Sequence, residues 1–418
     1  MKIFKFGGAS VRDADGVKNV ASVIKTTGEK QLVVVVSAMG KMTNALEIVV
    51  SEYFSEASDA QTAISEVYDY HHKIMLELFP GSSHSVFSEV KTIFKDLKLF
   101  LKTTKSKNHA YVYDQVVSHG ELLSTTIVSA YFKEIGIENN LLDVRKCIKT
   151  DANYRDAKVN WETTQEQIHE LLDCNAITVT QGFLGAETTN NFTTTLGREG
   201  SDYTAAIFGY CLNAESVTIW KDVPGVLNAD PRYFDKTTLL NHISYREAIE
   251  LAFYGASVIH PKTLQPLQRK EIRLFVKSFL NPLQPGTCVG KGVTLDPQTS
   301  CFILKRNQVL ISLSSLDFSF MMEDNIGEVF KLLHKYKMKV ELIQNSAISF
   351  SVCVDNKFNN LELLLTKLRS NFRVQWNEGV TLYTIRHSIP SEIKAIARDK
   401  KVLLKQESRE TVQLVIQE

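Results

Sequence analysis

Residues 1–40 read MKIFKFGGASVRDADGVKNVASVIKTTGEKQLVVVVSAMG. Lys2 to Phe6 sets Ile3, Phe4 and Phe6 among two lysines and stops at Gly7-Gly8, which predicts a strand closed by a turn. Asp13 to Lys25 places Val17, Val20, Ala21 and Ile24 on one face, the spacing of a helix. Leu32 to Val36 is a continuous aliphatic run, as in a parallel strand buried on both faces. Strand, glycine turn, helix and strand in that order predict an α/β domain built on a parallel sheet.

The rest of the first 280 residues extends this plan. Residues 58–131 read as mostly helix, with Glu66 to Leu78 and Ser85 to Leu101 amphipathic and Pro80-Gly81 between them. Strands are predicted at Asn140 to Val144, Ala176 to Thr180, Val217 to Trp220 and Ile272 to Lys277. Helices are predicted at Thr43 to Phe54, Thr204 to Cys211, Ser244 to Tyr254 and Pro261 to Gln268. Residues Asn281 to Gly292, with Pro282, Pro285, Gly286, Gly290 and Gly292, read as a loop or linker. Beyond it the pattern becomes two small βαββ units. The first runs through Val309 to Ser314, Gly327 to Tyr336, Lys339 to Ile343 and Ile348 to Val354. The second runs through Val380 to Ile385, Ser391 to Ala397, Val402 to Gln406 and Thr411 to Ile416. This is a twofold repeat of sandwich modules.

Composition narrows the function classes. The 418 residues correspond to about three domains, and 44% hydrophobic with 23% charged residues is ordinary for a globular chain. Lys plus Arg is 48 against 47 Asp plus Glu, so the basic excess of a nucleic-acid binder is missing. The longest aliphatic run is far below the roughly 18 residues of a membrane span. Six cysteines show no CxxC or zinc spacing, and the N-terminus does not read as a signal peptide, so a reducing cytoplasm is expected.

Three stretches carry chemistry. In the first, Gly7 and Gly8 after a strand let backbone N–H groups approach an anion, with Lys5 as a point charge beside them. Taken by itself, that stretch is better explained as a tight turn with a solvated lysine. The second, residues 193–206 (TTTLGREGSDYTAA), packs Arg198, Ser201 and Asp202 around a helix start. Arginine suits a bidentate carboxylate or phosphate contact, and Asp202 suits a magnesium ion bridging phosphates. Ser or Asp there is also an ordinary N-cap, but capping alone does not account for the density of polar groups. The third, residues 220–232 (WKDVPGVLNADPR), follows a buried strand, where α/β sheets bind ligands. Ser37 and Thr43 flank the loop after the second strand, and Glu121 stands on an apolar helix. His119 and the pair His71-His72 lack metal-ligand spacing.

KFGGAS at 5–10, SHGELLST at 118–125, TQGF at 180–183 and the stretches at 193–206 and 220–232 together resemble the aspartokinases, in order and spacing. The resemblance covers nearly the whole chain and implies a three-layer amino-acid kinase domain over residues 1–295. It implies a regulatory region over 296–418, with two ACT modules at about 309–376 and at 377–418 with the strand near 301–306. It implies ATP-dependent phosphorylation of L-aspartate to 4-phospho-L-aspartate, with Mg2+. Lys5 and Asp202 are then the catalytic pair, Asp202 also serving the metal. Ser37, Thr43, Glu121, Phe183, Arg198 and Ser201 bind aspartate, and Gly7, Gly8, Lys221, Asp222 and Arg232 bind nucleotide. Gly327, Val340, Glu341 and Ser346 take an amino-acid effector, lysine first and threonine second. A homo-oligomer paired through the ACT modules, with neither nucleic acid nor membrane as partner, is expected. So is a single activity with no homoserine dehydrogenase domain following. The sequence departs from the common pattern at Glu199 (often Gly), Lys221 (often Thr), Leu227 (often Tyr), Ser257 (often Lys) and Ala347 (often Glu). The alternatives are a catalytically silent amino-acid sensor and a kinase for another acidic amino acid.

Overall fold

The computed structural model describes residues 1–55, 60–81, 83–256, 259–317 and 319–417; Ser257 lies outside them. Two compact units are present. One comprises Met1–Val226, Leu239–Ile249 and Val258–Pro297, and the other Leu227–Thr238, Glu250–Ser257 and Gln298–Glu418.

The first unit is built on an eight-stranded sheet. Its strand order is Asn139–Leu142, Ile177–Gln181, Leu32–Val36, Lys2–Phe6, Ser216–Lys221, Arg273–Ser278, Thr287–Gly290, His242–Ser244. The pairings are parallel except that Arg273–Ser278 and Thr287–Gly290 run antiparallel. Leu32 to Val36 are all fully buried, as the aliphatic run predicts. Burying such a side chain contributes roughly 1.5–3 kcal/mol. One face, with Phe4, Phe6, Val34 and Trp220, packs into a core with Val17, Val20 and Leu123 of the helices Ala14–Thr27 and His119–Glu134. The other meets the helix Gly200–Cys211, where Gly209 stands so close to Val217 that a Cβ would sit 2.7 Å from its methyl group.

The structure corrects two expectations for this unit and adds a sheet that the sequence does not reveal. Thr287–Gly290 is a strand of the main sheet, so residues 281–292 are not simply a linker. Pro282, Pro285 and Gly286 lie in the turn before it, where Gly286 takes φ 68°, while Gly290 ends the strand and Gly292 follows it. A second, three-stranded sheet of Lys149–Thr150, Leu184–Glu187 and Thr193–Thr195 has strands too short for periodicity to reveal. The helix predicted from Thr204 begins at Gly200, which sets Ser201 and Asp202 inside its first turn rather than at its cap.

The second unit carries a six-stranded antiparallel sheet, ordered Lys339–Asn345, Ser349–Asp355, Cys301–Ser315, Phe372–Arg386, Thr411–Gln417, Lys401–Glu407. The two central strands have 15 residues each and serve both βαββ halves. Residues 301–305 pair with 382–386 and residues 308–315 with 372–380, with register shifts between. Each half has its own apolar cluster, one around Ile311, Leu364 and Phe372 and another around Ile385, Leu414 and Ile416.

Candidate active site

The carboxyl ends of four parallel strands converge on a cavity of about 490 Å³. Lys5 arrives from the strand Lys2–Phe6, Ser37 follows Leu32–Val36, Phe183 follows Ile177–Gln181, and Lys221 ends Ser216–Lys221. This is the end of a parallel sheet where ligands bind. Thr43 comes from the helix Met42–Tyr53, Glu121 from His119–Glu134, and residues 197–202 close the wall.

Two buried carboxylates set the electrostatics. Asp202, 2% exposed, pairs with Lys5 at 2.6 Å and lies 3.8 Å from Lys221. Burial alone would raise its pKa, but Lys5 and Lys221 outweigh it and hold the carboxyl below its ordinary value. Burial and then the neighbouring Asp202 push Glu199 upward. Glu121 is also 2% exposed. The Ala38 N–H donates to its Oε1 at 3.2 Å, while its buried Oε2 has no partner among the described residues. Burial drives its pKa up to about 8. An unpartnered buried carboxyl oxygen is costly unless something else supplies the donor.

The local backbone explains how these groups are held. A Cβ on Gly8 would come within 2.7 Å of the Ala38 carbonyl and 2.8 Å of the Gly40 carbonyl, so only glycine lets the two loops touch. Gly7 faces the Lys5 ammonium, 3.3 Å from where its Cβ would be. Phe183 adopts φ 70°, and its N–H donates to Thr204 Oγ1 at 3.0 Å. Gly200 packs so tightly on Phe183 that a Cβ would lie 2.6 Å from the ring.

Lys5, Ser37, Thr43, Glu121, Phe183, Arg198, Ser201, Asp202 and Lys221 therefore share one cavity. Gly7 and Gly8 form the turn behind Lys5. Asp222 is exposed in the turn after Lys221. Arg232 belongs to the second unit, where the Asp230 carboxylate takes its guanidinium at 2.6 and 3.0 Å. Tyr113, Arg155 and Glu199 also line the cavity. No sequence motif marks Tyr113 or Arg155 as a site residue, and Glu199 stands out in the sequence only as a departure from the aspartokinase pattern. His71 is a core histidine and His119 is half-buried: burial lowers both to about 4, and each ring bonds a carbonyl of its own helical region.

Among the proposed effector residues, Gly327 requires a correction. The helix starts at Glu323, not at Gly327, because Glu323 and Asp324 suit the positive end of the helix dipole. Gly327 thus lies in the second turn, its N–H within the helical ladder and not free for an anion. Glu341 contacts Lys305 and bonds Lys339 at 2.7 Å, so its charge is already compensated. Val340 pairs with Val354 in the sheet, and Ser346 is exposed with its hydroxyl 2.8 Å from that of Ser349.

Residues 1–278 match the amino acid kinase family. Lysine-sensitive aspartokinase 3 of Escherichia coli is 31% identical over 395 residues, covering 92% of this chain and 86% of that enzyme. The chain belongs to the aspartokinases. Aspartokinase 1 of Arabidopsis thaliana, a chloroplast enzyme, is 32% identical over 88% of this chain, which spans 65% of that enzyme. The structure of E. coli aspartokinase III with lysine and aspartate superposes with a TM-score of 0.85 at 28% identity, covering 99% and 95% of the two chains. The same enzyme with aspartate and ADP gives 0.81 at 28%, covering 100% and 96%. Among the described residues, no helix is long and apolar enough to cross a membrane.

Proposed function

We propose that the cavity holds L-aspartate beside ATP and transfers the γ-phosphoryl group to the side-chain carboxylate, giving 4-phospho-L-aspartate and ADP. The observation that carries this reading is Glu121. A buried carboxyl oxygen without a donor, in a pocket that also presents Arg198, is what an α-amino acid's ammonium and carboxylate would complete. Ser37, Thr43, Phe183 and Ser201 line the same pocket and shape the aspartate's place.

The attacking carboxylate is ionised at neutral pH, so no general base is required. One of its oxygens bonds the γ-phosphorus as the bond to the bridging β–γ oxygen breaks, and the electron pair leaves with ADP. The work left to the protein is to bring two anions together and to stabilise the transferred charge. Lys5 supplies a desolvated ammonium, and the Gly7-Gly8 turn supplies N–H groups. Lys221 adds a second cation, and with Asp222 it is assigned to the nucleotide. The Asp202 carboxylate, with Glu199 beside it, offers hard oxygen donors that fit Mg2+, and these two residues would hold it. When bound, Mg2+ neutralises phosphate charge.

The C-terminal sheet is the regulatory part, responding to an end-product amino acid and pairing with a second copy. The deciding measurement is coupled ADP release with L-aspartate, L-glutamate and N-acetyl-L-glutamate. Turnover with aspartate alone is expected. No turnover with aspartate, or faster turnover with either of the others, rejects the reading.

A further inference from the structure

Three non-glycine residues that line the cavity, Arg155, Phe183 and Glu199, hold left-handed backbones with φ of 71°, 70° and 55°. An L-residue is disfavoured there and stays only where its surroundings over-determine it. Phe183 is held by its bond to Thr204, and Glu199 precedes the helix Gly200–Cys211 as its cap. Arg155 is held by a device of its own. The carboxylate of Asp114, fully buried, accepts the Arg155 N–H at 3.0 and 3.2 Å. The same carboxylate takes the Thr195 N–H and hydroxyl, each at 2.8 Å. A buried carboxylate thus fixes two backbone positions and leaves the guanidinium of Arg155 out of the structural bonding.

That guanidinium has no carboxylate within ion-pair distance among the described residues. It lies 4.2 Å over the ring of Tyr113. The Tyr113 hydroxyl donates to Glu47 Oε1 at 2.9 Å, which ties this aromatic shelf to the helix that carries Thr43. Gly197 adopts φ 77°, and its Cβ would stand 3.1 Å from the Arg155 carbonyl and 2.7 Å from Asp156 Oδ1. The backbone of Arg155 therefore packs against the residue that precedes Arg198.

We propose that Arg155 is a second substrate-binding arginine, joining Arg198 on the α-carboxylate of the amino-acid substrate, with Asp114 as its positioning residue. The proposal rests on the reading of the cavity as an aspartate site. The α-carboxylate is the right anion for it. The phosphate side already has Lys5 and Lys221, and the side-chain carboxylate must stay free to attack. One carboxylate offers enough lone pairs for two guanidinium groups.

Arg155→Gly separates function from folding, because glycine takes φ near 71° without strain. The variant should melt no lower than the wild type. Its KM for aspartate should rise about tenfold, the usual scale for losing a charge-assisted contact at a partly solvated mouth, with kcat changed far less and KM for ATP unmoved. Asp114→Asn should raise the aspartate KM in the same direction and also lower the melting temperature. Wild-type turnover of aspartate is measured first and tests the underlying reading. If that turnover is normal while Arg155→Gly keeps the wild-type aspartate KM, or raises the KM for ATP instead, the assignment of Arg155 is wrong and the aspartate site stands.

Discussion

Glu121 is held protonated by its surroundings until a ligand supplies a donor. With a pKa of about 8, most of the unliganded protein carries a proton there at pH 7. An ammonium arriving at Oε2 favours the ionised form, so aspartate binding should release roughly one proton at that pH. Calorimetry in two buffers of different ionisation enthalpy reads this directly, and zero release would mean that no ammonium meets Glu121. Glu121→Gln should abolish the release and weaken aspartate binding by roughly 3 kcal/mol, the scale of a broken buried pair. The same residue affects stability. Its folded pKa lies above its ordinary 4.5, so the folded state binds the proton more tightly. That stabilisation is complete below pH 4.5 and is lost as pH rises through 8. Without ligand, Glu121→Gln should therefore gain on the wild type in urea midpoint as pH climbs across this window. Asp202 works in the opposite sense, its carboxylate held ionised by Lys5 and Lys221. Asp202→Ala should abolish turnover while the chain stays folded; an active variant with ordinary magnesium dependence would reduce Asp202 to a helix-start residue.

The helix Gly200–Cys211 and the strand Ile177–Gln181 are brought together by glycines. A Cβ on Gly182 would lie 2.5 Å from the Ser201 side chain and 2.8 Å from its Cα, a clash that no side-chain rotation relieves. Gly182→Ala should cost about 1–3 kcal/mol in denaturant unfolding, the usual penalty of overpacking. It should also lower kcat, because the first turn it displaces carries Asp202; full activity would show that the turn tolerates displacement. Elements of this kind show what the sequence could reveal. The strands Lys2–Phe6 and Leu32–Val36 are legible because burial on one or both faces leaves a pattern in the residues themselves. Arg198 and Asp202 are legible because polar groups so dense at a helix start exceed what turns and caps require, whereas Lys5 is legible only through the aspartokinase motif around it. Arg155 and Tyr113 are not, since their role depends on Asp114 and Thr195 meeting across 81 positions of chain. Nor is the start of the helix at Glu323, where acidic residues outside the apolar periodicity carry the first turn.

Across the whole molecule, control requires that an effector bound in the second unit favour one conformation of the enzyme over another. Glu341 is the natural carboxylate for a cationic effector, yet Lys305 and Lys339 already occupy it. Lys305 is the more buried of the two, and burial lowers its pKa, whereas Lys339 is exposed. Free lysine would therefore compete most directly with Lys339, whose exposed pairing is the weaker hold. Lys339→Met should bind lysine more tightly than the wild type and be inhibited at lower lysine concentration. Glu341→Gln should lose the response while keeping basal ADP release. Threonine, which has no side-chain charge, should be indifferent to both substitutions. Calorimetry and the ADP-release assay with each amino acid separate these cases. Heat and inhibition from lysine that move with Lys339 and Glu341 place the effector on this strand. Inhibition by threonine alone points instead to Gln344 and Asn345 of the same strand, whose side-chain amides can bond its hydroxyl. No heat and no inhibition from either at millimolar concentration leaves the C-terminal sheet as a structural module.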